Sequence, residues 1–136
     1  MANPTYIYKL ISSTAPPPSP LPTALPLSPL DKSSGFIHLS TASQIPGTLR
    51  HFFASETKVY VLRIPYHDRI EKDIRWESPD TKVCGERPGE GLFPHLYNGG
   101  RLGSEEVESV AAWENMIPGS EAGWDDALDK AQSWLI

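Results

Sequence analysis

A single cysteine, Cys84, leaves no partner for an intramolecular disulfide. A lone thiol suits a reducing compartment. Cys84 also stands in a polar loop with no evident base beside it, so no nucleophilic role is expected. Basic runs are missing too: 12 Lys and Arg face 17 Asp and Glu, a net charge of −5. The nearest cationic candidates, Lys82 and Arg87, are interrupted by Glu86 and flanked by Asp80 and Glu90. A nucleic-acid surface needs clustered cations to displace phosphate counterions, so no nucleic-acid partner is expected. No window approaches the roughly 18 uninterrupted apolar residues of a membrane span. The opening MANPTYIYKL lacks the basic-then-apolar order of a secretory leader. The expectation is a soluble cytoplasmic protein with no membrane partner. GxSxG, P-loop and GxGxxG patterns are absent, which removes three common enzyme readings.

Proline is the residue in excess. The chain carries 14 among 136 residues, against an average usage of about 5%. Seven of them lie between Pro16 and Pro29. They remove backbone donors, so neither a regular helix nor a central strand is expected across the segment. Leu21, Leu25, Leu27 and Leu30 recur through it, unlike the Ser, Gly or charge of a flexible linker. The segment 15–30 therefore reads as a stiff strap whose leucines pack onto the rest of a single domain spanning 1–136. A mobile proline-rich loop of the kind that SH3 domains bind is the alternative.

Elsewhere the pattern is that of short strands with two helices. Thr5 to Ile11 reads as a strand, as do Phe36 to Ser40, Lys58 to Ile64, Ile74 to Glu77, Phe93 to Tyr97 and Val107 to Trp113. Asp31 to Gly35 is a turn signal, with Gly35 free to take positive φ. Thr41-Ala42-Ser43-Gln44 has the form of a capping box, and Pro46 suits the first turn of a helix reaching Ala54. Ser78 to Gly91 is polar and reads as a loop, and Asn98-Gly99-Gly100 as a turn or hairpin. Trp124, Leu128, Ala131 and Leu135 recur at helical spacing, which predicts an amphipathic helix over about 121–135. The fold class is α+β, with small and mostly antiparallel sheets.

Strand alternation places candidate chemistry. Residues i and i+2 share a face, so Phe36, His38 and Ser40 point one way. Arg75 and Glu77 share a second face, and Phe93, His95 and Tyr97 a third. If the three converge, they form a cleft with donors, acceptors and aromatic walls that suits a small-molecule ligand. Each residue also has a plainer role. A strand histidine is often half-buried and hydrogen-bonded, Arg75 and Glu77 form an ordinary solvated face, and Ser40 caps a helix. His51 and His67 read as surface residues. Zinc accepts His and carboxylate ligands, but His38, Glu77 and His95 lack the local spacing of a pattern such as HExxH. No metal is expected.

Asp31 followed by the run GFIHLSTA, then Gln44, Arg75-Trp76-Glu77 and Phe93-Pro94-His95-Leu96-Tyr97, resembles the family catalogued as a domain of unknown function, DUF952. The likeness runs from about Tyr6 to Trp113, and the Leu25-to-Asp31 strap resembles the fungal branch of that family. The resemblance implies a fold similar to the ADP-ribosyltransferase superfamily, with two small sheets forming a cleft that takes NAD. Asn98 stands where the family has glycine, and no transferase triad can be laid on the chain in order.

Three functional readings follow. The first is a cleft that binds NAD or a related small polar ligand and carries out glycosyl or ADP-ribosyl transfer. His38 would then hold ribose hydroxyls, Tyr97 would stack on a ring, and Glu77 would stabilise an oxocarbenium-like transition state. The second is acid–base catalysis on a small metabolite through His38, Glu77 and His95, since histidine titrates near neutral pH. Ser40, Thr41, Gln44, Arg75 and Tyr97 are the ligand-binding candidates in both. The third is a non-catalytic interaction module, with Trp124 and Trp134 partly exposed on the C-terminal helix or with the strap as its contact surface.

Overall fold

The computed structural model describes residues 4–79, 84–85 and 91–136. Among the described residues, seven strands form two antiparallel sheets. The first sheet has the order β1–β3–β7, where β1 is Tyr6–Ser12, β3 is Lys58–Pro65 and β7 is Ser109–Glu114. The second has the order β2–β6–β4–β5, where β2 is Ile37–His38, β4 is Ile74–Glu77, β5 is Cys84–Gly85 and β6 is Phe93–Leu96. Among the described residues there are four short α-helices: α1 Pro29–Ser34, α2 Ile45–Phe52 and α3 Asp68–Glu71 between strands, and α4 Asp125–Lys130 after the last of them. The chain belongs to the α+β class.

Alternation along β1 and β3 separates two cores. Ile7, Leu62 and Ile64 meet Ile37, Ile74, Trp76 and Leu96 of the second sheet. Tyr8, Val59 and Val61 face the other way and pack on Ile45 and Leu49 of α2, on Trp113, and on Trp124 and Ala127 around α4. The first sheet is thus covered by helices on one face and by the second sheet on the other. The sheets also meet at an edge, where Tyr8 and Ser40 exchange backbone hydrogen bonds of 2.8 Å in each direction.

Several expectations change at element boundaries. The turn expected at Asp31 is helix α1. Ser28 Oγ accepts the Asp31 N–H at 3.2 Å, Pro29 occupies the first turn, and Gly35 closes the helix at φ 82°. Local capping converts a turn-rich stretch into helix because only six residues need order. The strand expected over Phe36 to Ser40 is regular only at Ile37–His38. The helix expected from the capping box begins as a 3-10 turn, Ala42–Gln44, before α2. Gly99 and Gly100 take positive φ, but no hairpin follows them, because β7 pairs with β3 in the other sheet. The helix expected over 121–135 is α-helical only at Asp125–Lys130, flanked by turns. Trp124 is buried and Trp134 half-buried, so the tryptophans of this segment pack toward the second core, while Asp125, Asp126, Asp129 and Lys130 are exposed. Most of the Ser78 to Gly91 loop, with the Cys84 side chain, Lys82 and Arg87, lies outside the described residues.

The strap is fastened by its backbone as much as by its leucines. Leu25 donates its N–H to Leu102 O at 2.8 Å, and Ser104 N–H donates to Pro22 O at 2.9 Å. Leu25 is buried and Leu21 packs against the first core, while Leu27 and Leu30 stay exposed. Among the described residues, no helix is long and apolar enough to cross a membrane.

Candidate functional site

The register of the second sheet brings the three polar faces together. Ile37, Leu96 and Ile74 are cross-strand neighbours and face the core. One residue along each strand, His38 stands opposite His95, and His95 opposite Arg75. Because direct neighbours in a sheet share a face, these three side chains emerge on the side away from the core. Phe36 and Tyr97 flank the row. The Phe36 ring stacks on His95 at 4.3 Å between centroids and lies 4.6 Å from His38 and 5.0 Å from Tyr97. The two imidazoles meet edge to face at 5.2 Å.

Each histidine is held by a carboxylate. His95 Nδ1 lies 3.0 Å from Glu77 Oε1, and Tyr97 donates its hydroxyl to the same oxygen at 2.5 Å. Glu77 is 4% exposed and His95 2%. Burial pushes the His95 pKa down, more than the Glu77 hydrogen bond raises it, so the imidazole is neutral near pH 7. Since Glu77 accepts from Tyr97, the neutral ring carries its proton on Nδ1 and donates.

The second pair extends further. His38 Nδ1 lies 2.7 Å from Asp31 Oδ1, which also accepts the His38 backbone N–H at 3.2 Å. Lys9 Nζ donates to Asp31 Oδ2 at 2.6 Å and to the His38 carbonyl at 3.1 Å. Asp31 is 2% exposed. Burial alone would raise its pKa, but the His38 hydrogen bonds and the Lys9 ammonium outweigh that and hold the carboxyl below its ordinary range. Lys9 shifts down, with burial stronger than the pull of Asp31. The carboxylate stays ionised and accepts, so His38 donates through Nδ1 and is left with its Nε2 lone pair. With its side chain 29% exposed, His38 is the histidine of the cluster within reach of a ligand, whereas His95 is buried.

The remaining candidates divide. Arg75 is exposed and lies over the Tyr97 ring at 4.6 Å, inside the cluster. Ser40 joins the two sheets through its backbone. Thr41 N–H donates to Gln44 Oε1 at 3.0 Å, and Gln44 Nε2 donates to Leu92 O at 2.6 Å. Thr41 and Gln44 thus form part of the expected capping box and tie it to the segment entering β6, beside the cluster rather than in it. Lys9 and Asp31 were not among the candidates. The signal for Lys9 was available: a lysine midway along an apolar strand, where a buried ammonium needs a carboxylate partner. Asp31 was hidden by its turn-like neighbours.

The site is a partly open sheet face. Two cavities of about 220 and 390 Å³ lie elsewhere, one beside α3 and Arg101, the other between β7 and α4, and His38, His95 and Glu77 line neither. Among the described residues, no group of three or more His, Cys, Asp or Glu is arranged to hold a metal ion.

The protein is thus a small α+β chain with paired histidine–carboxylate contacts at the outer face of an antiparallel sheet. The chain belongs to the family described as Protein of unknown function (DUF952), whose model matches residues 22–110. That range holds Asp31, His38, Arg75, Glu77, His95 and Tyr97, and leaves Lys9 outside. The chain is also similar to the crystal structure of protein CC0527 from Caulobacter crescentus, with 25% identity, a TM-score of 0.63, and coverage of 92% of this chain and 99% of that one. A methionine double mutant of CC0527 matches equally well. The solution structure of CC0527, at 24% identity and a TM-score of 0.56, covers 81% of this chain and 85% of that one. No curated protein matches the chain.

Proposed function

We propose that the protein is an acid–base enzyme acting on a small polar metabolite, with His38 as the group that takes and returns the proton. The carrying observation is the 2.7 Å contact between His38 Nδ1 and a buried carboxylate that Lys9 keeps ionised. A carboxylate on Nδ1 fixes the tautomer and the ring orientation, as positioned imidazoles in general acid–base catalysis require. Phe36, Tyr97 and Arg75 form the surrounding wall. His95 and Glu77, buried and bonded to each other, support that wall and keep the Tyr97 hydroxyl in place. A metabolite panel followed by NMR at the His38 ring tests the reading. Ligands that shift His38 in the native protein and turn over there, but not in His38→Ala, support it. A panel with proton exchange or turnover unaffected by His38→Ala overturns it.

A second reading keeps the resemblance to ADP-ribosyltransferases. The aromatic pair Phe36 and Tyr97 beside a half-exposed histidine favours a ribosyl ligand such as NAD. Two contacts weigh against glycosyl transfer. Glu77 Oε1 already accepts from His95 and Tyr97, so it has less charge to lend an oxocarbenium ion. Arg75 covers one face of the Tyr97 ring, where a nicotinamide or adenine would stack. Shifts at His38 and His95 in millimolar NAD, with nicotinamide released over time, would favour this reading over proton transfer alone.

A further inference from the structure

The charge of the site points to the chemical class of its ligand, an inference that rests on His38 as the proton-transfer group and adds what anchors the molecule beside it. Asp31 and Glu77 are the carboxylates beneath the His38–His95–Arg75 row. Both are buried, and both are engaged, Asp31 by Lys9 and His38, Glu77 by His95 and Tyr97. Burial keeps His95 neutral. Among the described residues, the face presented to solvent therefore carries Arg75 as its fixed charge.

Arg75 is placed for recognition. Among the described residues it forms no ion pair. Its guanidinium carbon lies 4.6 Å from the centre of the Tyr97 ring, a cation–π contact that holds the group beside the cluster. A cation–π contact uses none of the guanidinium N–H donors in an ion pair, so they can serve a bidentate bond to an oxyanion. Register places it two strands from His38. At about 4.8 Å per strand, the two backbones are roughly 10 Å apart, and a small molecule spans the gap between the side chains.

We infer that Arg75 anchors an oxyanion, a carboxylate or a phosphate, on a small substrate whose labile proton lies at His38 Nε2. The substrate is then a small organic acid or a phosphate monoester. The net charge of −5 gives anions no general attraction to the protein, so binding at this face depends on a local cation.

NMR titration at constant ionic strength tests this, with inorganic phosphate, acetate and uncharged glycerol as probes. Phosphate or acetate should move the Arg75 Nε and His38 ring resonances, the stronger of the two naming the oxyanion, and glycerol should not. Arg75→Gln should weaken the anion by about tenfold or more, as the loss of a charged hydrogen-bonded anchor does. Arg101→Gln, at an exposed arginine outside the site, should leave affinity unchanged. Unmoved Arg75 resonances, or equal losses in both variants, overturn the inference. The readout is binding and not turnover. A failure of proton transfer at His38 therefore leaves this result standing, and a failure of the anion to bind leaves the proton-transfer reading standing.

Discussion

Lys9 and Asp31 show how one buried charge obliges another. Neither ion is stable alone beneath the surface, where desolvation penalises the charged forms. Paired at 2.6 Å, they hold each other and fix His38. Lys9→Met removes the ammonium and leaves a buried carboxylate, which should cost about 3 kcal/mol or more of stability. The double change Lys9→Met with Asp31→Asn should recover much of that loss, because it removes both charges. Chemical denaturation of the four proteins measures the coupling, and strictly additive losses would contradict a direct pair. His95 gives a second residue-scale expectation. Its folded pKa lies below the ordinary 6.5, so between the two values the unfolded chain binds the proton and the folded chain does not. Stability from the neutral ring is thus fully present above pH 6.5 and is lost as pH falls through the folded pKa. Asp31, shifted down, stays ionised until pH falls below its ordinary 3.8. Comparing urea midpoints at pH 8 and pH 5 therefore reads histidine. The drop should shrink in His95→Asn, and an unchanged drop would assign it elsewhere.

At the scale of elements, the strap matters through what it delivers. It runs against residues 102–104 and then feeds α1, whose first turn carries Asp31 to His38. Gly103 allows the close approach: a Cβ there would lie 2.2 Å from Pro22 O and 2.3 Å from Thr23 O, both backbone atoms. Gly103→Ala should therefore cost about 2 kcal/mol, as overpacking typically does. It should also move the His38 ring resonance through displaced Asp31. A melting temperature equal to wild type would show the strap to be loosely held. The alternation of strands, the Gly35 turn and the three polar faces were legible in the sequence, because period-two patterning is a local property. Helix α1 was not legible: its capping by Ser28 competes with strong turn residues, and packing decides the outcome. Neither was the Lys9–Asp31–His38 chain, since it joins residues from β1, α1 and β2 that only tertiary structure brings together. Pairing β7 with β3 instead of closing a hairpin after Gly100 is likewise a long-range choice.

At the scale of the whole molecule, the question is whether two cores behave as one. β1 and β3 belong to both, since Ile7 and Leu62 face one side while Tyr8 and Val61 face the other. Loss of either core strips one face of the shared sheet and exposes its backbone pairing to water. Apolar residues line both faces of the first sheet, so stripping either cover exposes them to water at a cost in stability. The molecule should therefore unfold in a single cooperative step, as one domain. Trp76 reports the first core and Trp124 the second, both fully buried. A native mixture of tryptophans blurs the two signals, so Trp76→Phe and Trp124→Phe should be followed in parallel. Each substitution keeps an aromatic ring but vacates volume, so both variants should melt lower than the native chain. Within each variant, the fluorescence and far-UV transitions should coincide. Separate midpoints would mean that the helical cover leaves first, and that the site-bearing sheet retains its fold without it. In that case the His38 and His95 resonances would persist beyond the first transition; under one cooperative step they disappear with it.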